Sequence, residues 1–114
     1  MARKVMWTES AWRDLEEVAD YITKDSSHYA AVFVREARDA ARTLAYLSER
    51  GRTVPEFNDP SIRELFVRSY RLIYQVAEQA VYIIGFIHGA RDLWALWEPR
   101  VILNSHEIRS ISAI

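Results

Sequence analysis

Apolar residues recur at helical spacing in two consecutive stretches of the first half of the chain. Five of them share one face of a helix predicted over 9–24: Ala11, Leu15, Val18, Ala19 and Ile22. After a polar break at 25–27, a second and alanine-rich stripe predicts a longer helix that ends near Arg50, with Gly51 as its C-terminal cap. The short connection between these helices predicts an antiparallel hairpin.

The hydrophobic pattern changes to that of strands in the second half of the chain. Three runs rich in β-branched and aromatic residues, 62–67, 70–76 and 80–87, have only short separations, so we expect sequential antiparallel strands. The last run is apolar at almost every position, which is typical of a central strand covered on both faces. A short apolar run at 5–7, ended by the helix-capping residue Thr8, predicts a strand before the first helix.

The predicted order is strand, helix, helix and three strands. This is an α+β fold in which the helical hairpin packs on one face of an antiparallel sheet and leaves the other face free for function. Residues 91–97 allow a short C-terminal helix, which Pro99 would terminate. We expect one domain over 1–98 and a tail over 99–114.

Composition restricts the chemistry that this fold can perform. The 114 residues include 15 basic and 16 acidic side chains, a formal net charge of −1, so the whole chain has no field that attracts nucleic acid. The absence of cysteine excludes disulfides and thiolate chemistry. We expect no metal and no other cofactor. Without a signal peptide or a bilayer-spanning segment, a cytoplasmic location without membrane contact is expected.

Positive charge is concentrated in the region of the predicted strands. Residues 61–76 carry Arg63, Arg68 and Arg71 against the single acid Glu64, so an anion-binding surface, if there is one, is expected here. An alternative for Arg71 is an ion pair with Glu64 across the hairpin, which is an ordinary feature of sheets.

The register of the predicted hairpin decides whether Arg63 and Arg71 can act together. A two-residue turn at 68–69 would pair Val67 with Tyr70 and place the two arginines on opposite faces of the sheet. A three-residue connection would place them on the same face, where they could share a phosphate.

An ordered set of short motifs resembles the RelE/ParE toxin superfamily over about residues 4–97. These motifs are Trp7-Thr8, Ala11, Asp14-Leu15, Tyr21-Ile22, the stretch from Gly51 to Phe57, Ile62 to Leu65, Tyr70 to Tyr74 and His88 to Leu93. The resemblance implies the toxin of a type II toxin–antitoxin pair of the plasmid-stabilisation type, neutralised in a hetero-oligomer with a cognate antitoxin. The ending from His88 to Leu93 looks more like the ParE branch, whose members bind DNA gyrase and are not nucleases.

The alternative that the resemblance leaves open is a RelE-like endonuclease that cuts messenger RNA on the ribosome without a metal. In such relatives, an arginine on a similar strand contacts phosphate and a histidine near the last strand end acts as an acid, which approximately matches Arg71 and His88. Arg63 and Glu56 would complete the catalytic set. The net charge of −1 and the presence of only two lysines argue against this function, because RNA binding depends on phosphate neutralisation.

Each candidate residue also has a structural interpretation. His88 could serve as an ordinary strand-end residue, and Glu56 could fix its own loop. If the chain is ParE-like, it has no catalytic residues. Its candidate contacts with the target or the antitoxin are then Arg63, Arg71, His88, Arg91, Trp94 and Trp97. A third possibility is a member that has lost toxicity and persists as an antitoxin-binding module.

Overall fold

A computed structural model describes residues 2–89 and the strand at 108–109. The helices and strands in this part of the chain are β1 (Lys4–Thr8), α1 (Glu9–Thr23), α2 (Ser27–Thr43), β2 (Arg52–Thr53), β3 (Ile62–Val67), β4 (Tyr70–Val76), β5 (Ala80–His88) and β6 (Ile108–Arg109). The predicted α+β order is confirmed, with the short strands β2 and β6 added. The short helix expected over 91–97 lies outside the described residues. No helix in the described part is long and apolar enough to cross a membrane.

Each helix begins at a hydroxyl residue that caps it. The Thr8 hydroxyl accepts a hydrogen bond from the Ala11 N–H at 3.1 Å, and the Ser26 hydroxyl accepts one from the Tyr29 N–H at 3.1 Å. The three residues 24–26 join the helices, and α1 packs against α2. The helical hairpin is therefore confirmed.

The second helix ends at Thr43 rather than near Arg50 as expected. Beyond Thr43 the backbone forms turns, and the Ala45 carbonyl accepts a hydrogen bond from the Arg3 N–H at 2.8 Å. This bond ties the segment to the beginning of β1. As a result Leu47, which the helical stripe placed on the buried face, is 58% exposed.

Gly51 is required for close packing and not as a helix cap. A Cβ at this position would lie 2.4 Å from the Glu64 carbonyl oxygen and 2.6 Å from the Tyr74 hydroxyl. That hydroxyl accepts a hydrogen bond from the Gly51 N–H at 2.9 Å and donates one to the Ser48 carbonyl at 2.9 Å. Burial raises the pKa of Tyr74, because water no longer stabilises the phenolate.

The sheet has the strand order β2-β3-β4-β5-β1-β6. As expected, β3, β4 and β5 are antiparallel neighbours, and β5 is central. However, β1 runs parallel to β5, so the sheet is mixed rather than wholly antiparallel. No tight turn fixes the direction of β1, because the helical hairpin and the three strands β2, β3 and β4 separate it from β5 along the chain.

Two hydrophobic clusters lie on opposite faces of the sheet. On the helix side, facing α1 and α2, the cluster includes Trp7, Leu15, Phe33, Leu72 and Phe86. On the loop side, Val54 and Phe57 from the connector, which is the segment 54–61 between β2 and β3, pack against Ile62, Ile73 and Ile84. The face that was expected to be free is therefore partly covered. The connector carries enough apolar surface to fold onto the sheet.

Candidate functional site

The turn at 68–69 sets the register of the β3–β4 hairpin. It pairs Val67 with Tyr70, as expected for a two-residue turn. Arg63 therefore belongs to the helix side and Arg71 to the loop side. The two arginines cannot share a phosphate in this register.

Arg71 is buried in an ion-pair cluster on the loop side. Its Nη1 and Nη2 donate to the two carboxylate oxygens of Glu56 at 2.9 and 2.7 Å, and its Nε donates to Glu64 Oε1 at 2.6 Å. The side chain of Arg71 is 4% exposed, and that of Glu64 is 0% exposed. Arg52 donates to the second oxygen of Glu64. The hydrogen bonds, led by those to Glu56, raise the pKa of Arg71, so it is charged at any physiological pH.

This cluster neutralises its own charge. Two arginines and two glutamates cancel, and every guanidinium nitrogen of Arg71 already donates to a carboxylate. Glu56 lies between Val54 and Phe57, so its bond to Arg71 fastens the connector to the sheet. Sequence reasoning considered the pair of Arg71 with Glu64 but missed the contribution of Glu56 to it.

Arg63 is held at the other end of the same strands. Its Nη1 donates to the Gly51 carbonyl at 2.8 Å, and its Nη2 lies 3.8 Å from Glu49 Oε1. Arg63 pairs with Tyr74 on β4, whereas His88 pairs with Tyr70. The two partners are four residues apart on β4. Because a strand rises about 3.3 Å per residue, the backbone positions of Arg63 and His88 are about 13 Å apart along the strand direction.

His88 is exposed at the end of β5, on the helix side. Its ring contacts the Tyr70 ring edge-on, with centroids 5.4 Å apart. Because Arg71 faces the loop side, the sheet lies between Arg71 and His88. The cleft beside His88 is instead lined by two carboxylates, those of Asp14 and Glu17.

We name this hollow the α1 cleft. It is formed by Asp14, Glu17 and Tyr21 of α1 and by Tyr70, Phe86 and His88 at the end of the β4–β5 hairpin. The sequence analysis did not predict this cleft. The available signal was the spacing of Asp14, Glu17 and Tyr21, which places them on one face of α1.

Within the described part of the chain, no group of three metal-binding side chains lies close enough to hold a metal. The candidates Arg91, Trp94 and Trp97 lie outside that part. Among the candidates inside it, only the pair Glu56 and Arg71 is brought together, and that contact is an ion pair.

A family model for the ParE toxin of the type II toxin–antitoxin system parDE matches residues 5–93. The chain belongs to the ParE toxin family. Membership in the ParE family makes it the toxin of a type II pair and implies a cognate antitoxin as partner.

Two further proteins are similar to this chain. Toxin RelE2 of Caulobacter vibrioides is 36% identical over 89 residues, which cover 77% of this chain and 97% of that protein. A solved chain of a chromosomal ParDE toxin–antitoxin system from P. aeruginosa has a TM-score of 0.64 at 19% identity, covering 76% of this chain and 96% of that chain. At this identity the second likeness shows the shared fold.

Proposed function

We propose that this ParE-family toxin inhibits DNA gyrase in the cytoplasm by protein–protein binding, as a plasmid-stabilisation type toxin held in check by its antitoxin. The observation that carries the proposal is the separation of the candidate nuclease residues. Arg71 is ion-paired on the loop side of the sheet, whereas His88 lies on the helix side.

Metal-free RNA cleavage requires a base, an acid and cationic groups around one phosphate. General acid–base catalysis is effective only when the donor and the reacting atom are about 2.6–3.2 Å apart. Arg71 and His88 cannot meet this condition together, since they project from opposite faces of the sheet. Glu56 could act as a base only by giving up its ion pair with Arg71.

The surroundings of His88 also disfavour RNA. Asp14 and Glu17 line the same cleft, and neither arginine nor lysine is among the described residues that line it. A phosphate placed beside His88 would be repelled by these carboxylates. Nucleic-acid binding depends on neutralising phosphates with cationic side chains, and the net charge of −1 gives no compensation.

Exposed aromatic side chains favour action through a protein interface. Tyr21, Tyr29 and Phe66 are 68%, 66% and 54% exposed. Aromatic residues are enriched in protein interfaces, where they supply large contact area at low entropic cost. Among the candidate contact residues in the described part, His88 is the exposed one, so we expect it to contribute to binding rather than to chemistry.

The proposal is tested by titrating the purified toxin into a gyrase supercoiling assay. We expect supercoiling to fall with added toxin and to recover when the cognate antitoxin is added in excess. The exposed variant His88→Ala should retain at least part of the inhibition, because no catalytic step depends on the imidazole. A toxin that arrests growth but leaves gyrase active at all concentrations would contradict the proposal.

A further inference from the structure

The α1 cleft is large enough to receive one long side chain. Asp14, Glu17 and Tyr21 lie three and four residues apart on α1 and form one wall, and Tyr70 and His88 form the other. The cleft has a volume of about 290 Å³. It opens at the surface where α1 meets the end of the β4–β5 hairpin.

The floor of the cleft is held in place by aromatic packing. The Tyr70 and Phe86 rings are stacked with centroids 5.5 Å apart, and Phe33 contacts them edge-on at 5.4 and 5.7 Å. Asp14 is fixed too, since its Oδ2 accepts a hydrogen bond from the Phe86 N–H at 3.1 Å. Aromatic faces are electron-rich and attract cations. The cleft therefore exists before any partner binds.

The charge of the cleft selects a cation. Asp14 and Glu17 contribute two carboxylates to its lining, and none of the described residues that line it is an arginine or a lysine. Glu17 is exposed and makes no ion pair with another residue of the described part. A lysine or arginine could lay its apolar stem along the rings and bring its charged group to these carboxylates.

A second, more apolar hollow adjoins the α1 cleft. It shares Tyr21 with the cleft and has a volume of about 310 Å³. Its other lining residues are the apolar or aromatic Ile22, Tyr29, Val32 and Phe33 and, at its polar part, Asp25, Ser26 and Arg68. Tyr21 and Tyr29 are largely exposed, so a partner that covered them would bury substantial apolar area. An acidic cleft beside a more apolar hollow suits a peptide segment that places a basic and an apolar side chain side by side.

We infer that the α1 cleft binds a lysine or arginine of the antitoxin, on a segment whose neighbouring apolar side chain fills the second hollow. A segment that folds on its partner is well suited to a narrow groove, because it can insert single side chains along its length. The inference rests on the proposed function only in taking the antitoxin as the partner. It does not require gyrase to be the target.

The inference is tested by calorimetric titration of the full-length antitoxin into the toxin variants Glu17→Lys and Glu16→Lys. Both positions are exposed on α1, but only Glu17 lines the cleft. Because opposing like charges are costly in an interface, Glu17→Lys should weaken the affinity by at least about tenfold. Glu16→Lys should stay within about twofold of the unmodified toxin, since it leaves the cleft unchanged. Thermal melting of each variant establishes that it is folded.

A charge-swap experiment then identifies the bound side chain. Each lysine and arginine of the antitoxin is replaced by glutamate in turn, and we expect one replacement to restore affinity for Glu17→Lys. Equal affinities for Glu17→Lys and Glu16→Lys would overturn the inference. So would a Glu17→Lys toxin that binds the antitoxin normally but no longer inhibits gyrase, because the cleft would then serve the target. If antitoxin binding depends on the cleft but the toxin leaves gyrase active, the proposed function is contradicted and the inference about the cleft is not.

Discussion

Replacing Arg71 tests whether its ion-pair cluster stabilises the fold. The change Arg71→Met removes three hydrogen bonds of 2.6–2.9 Å. Within the cluster, the Glu64 carboxylate, which is 0% exposed, then keeps its ion pair with Arg52 and no other. Breaking a buried ion pair by removing one partner costs about 3–5 kcal/mol, because the remaining charge is left buried. Domains of this size have free energies of unfolding of about 5–15 kcal/mol. The variant should therefore lose a large part of its stability.

The measurement is urea unfolding of the purified toxin, followed by tryptophan fluorescence. The matched control is Arg52→Met, which removes the other partner of the same Glu64 carboxylate but from a side chain that is 60% exposed. This control should cost no more than about 1 kcal/mol. In the double variant Glu64→Leu with Arg71→Met, the loss should be smaller than the sum of the single losses. If Arg71→Met cost no more than Arg52→Met, the reasoning would be refuted and Arg71 would be available for another role.

Three further changes test the packing around the sheet. Gly51→Ala should lower the free energy of unfolding by about 1–3 kcal/mol, since its Cβ would overlap the Glu64 carbonyl; an unchanged melting temperature would contradict this close approach. Tyr74→Phe removes two hydrogen bonds and should cost about 1–3 kcal/mol in the same assay. Because the folded pKa of Tyr74 is raised, its contribution is present below about pH 10 and declines at higher pH, so the gap between the unmodified toxin and Tyr74→Phe should narrow there. Thr8→Ala removes the cap of α1 and the hydrogen bond that the Thr8 hydroxyl donates to the Ile83 carbonyl. The free energy of unfolding, measured in urea, should fall by about 1–2 kcal/mol, and a fall of less than about 0.5 kcal/mol would count against the cap.

The elements that the sequence predicted well are those determined by local patterns. The stripe of α1, the cap at Thr8 and the polar break at 25–27 indicate where the helices begin. The turn at 68–69 is local too, but the sequence left two registers of β3 and β4 open, and the structure has the one that places Arg63 and Arg71 on opposite faces. Each of these features depends on residues that are close in sequence.

The features that the sequence did not predict depend on contacts between distant segments. The parallel pairing of β1 with β5 and the early end of α2 both arise from interactions across the fold. The bond between Glu56 and Arg71 forms only because Val54 and Phe57 fold onto the sheet. No local pattern specifies that packing.

The same limit applies to the candidate site. Arg71 and His88 lie on neighbouring strands, and both match an arginine–histidine pattern similar to that of nuclease relatives. Only the pairing of β4 with β5 reveals that they face opposite sides. The carboxylates beside His88 come from α1, more than sixty residues earlier in the chain. This juxtaposition of a helix with a strand end requires the tertiary structure.

The most direct test of the central claim compares two activities of one toxin preparation. Gyrase supercoiling and cleavage of messenger RNA on programmed ribosomes are measured over the same range of toxin concentrations. The account predicts that supercoiling is inhibited while the messenger RNA stays intact. Cleaved messenger RNA with unaffected gyrase would contradict it and would favour a nuclease, and inactivity in both assays without growth arrest would favour a module that only binds the antitoxin.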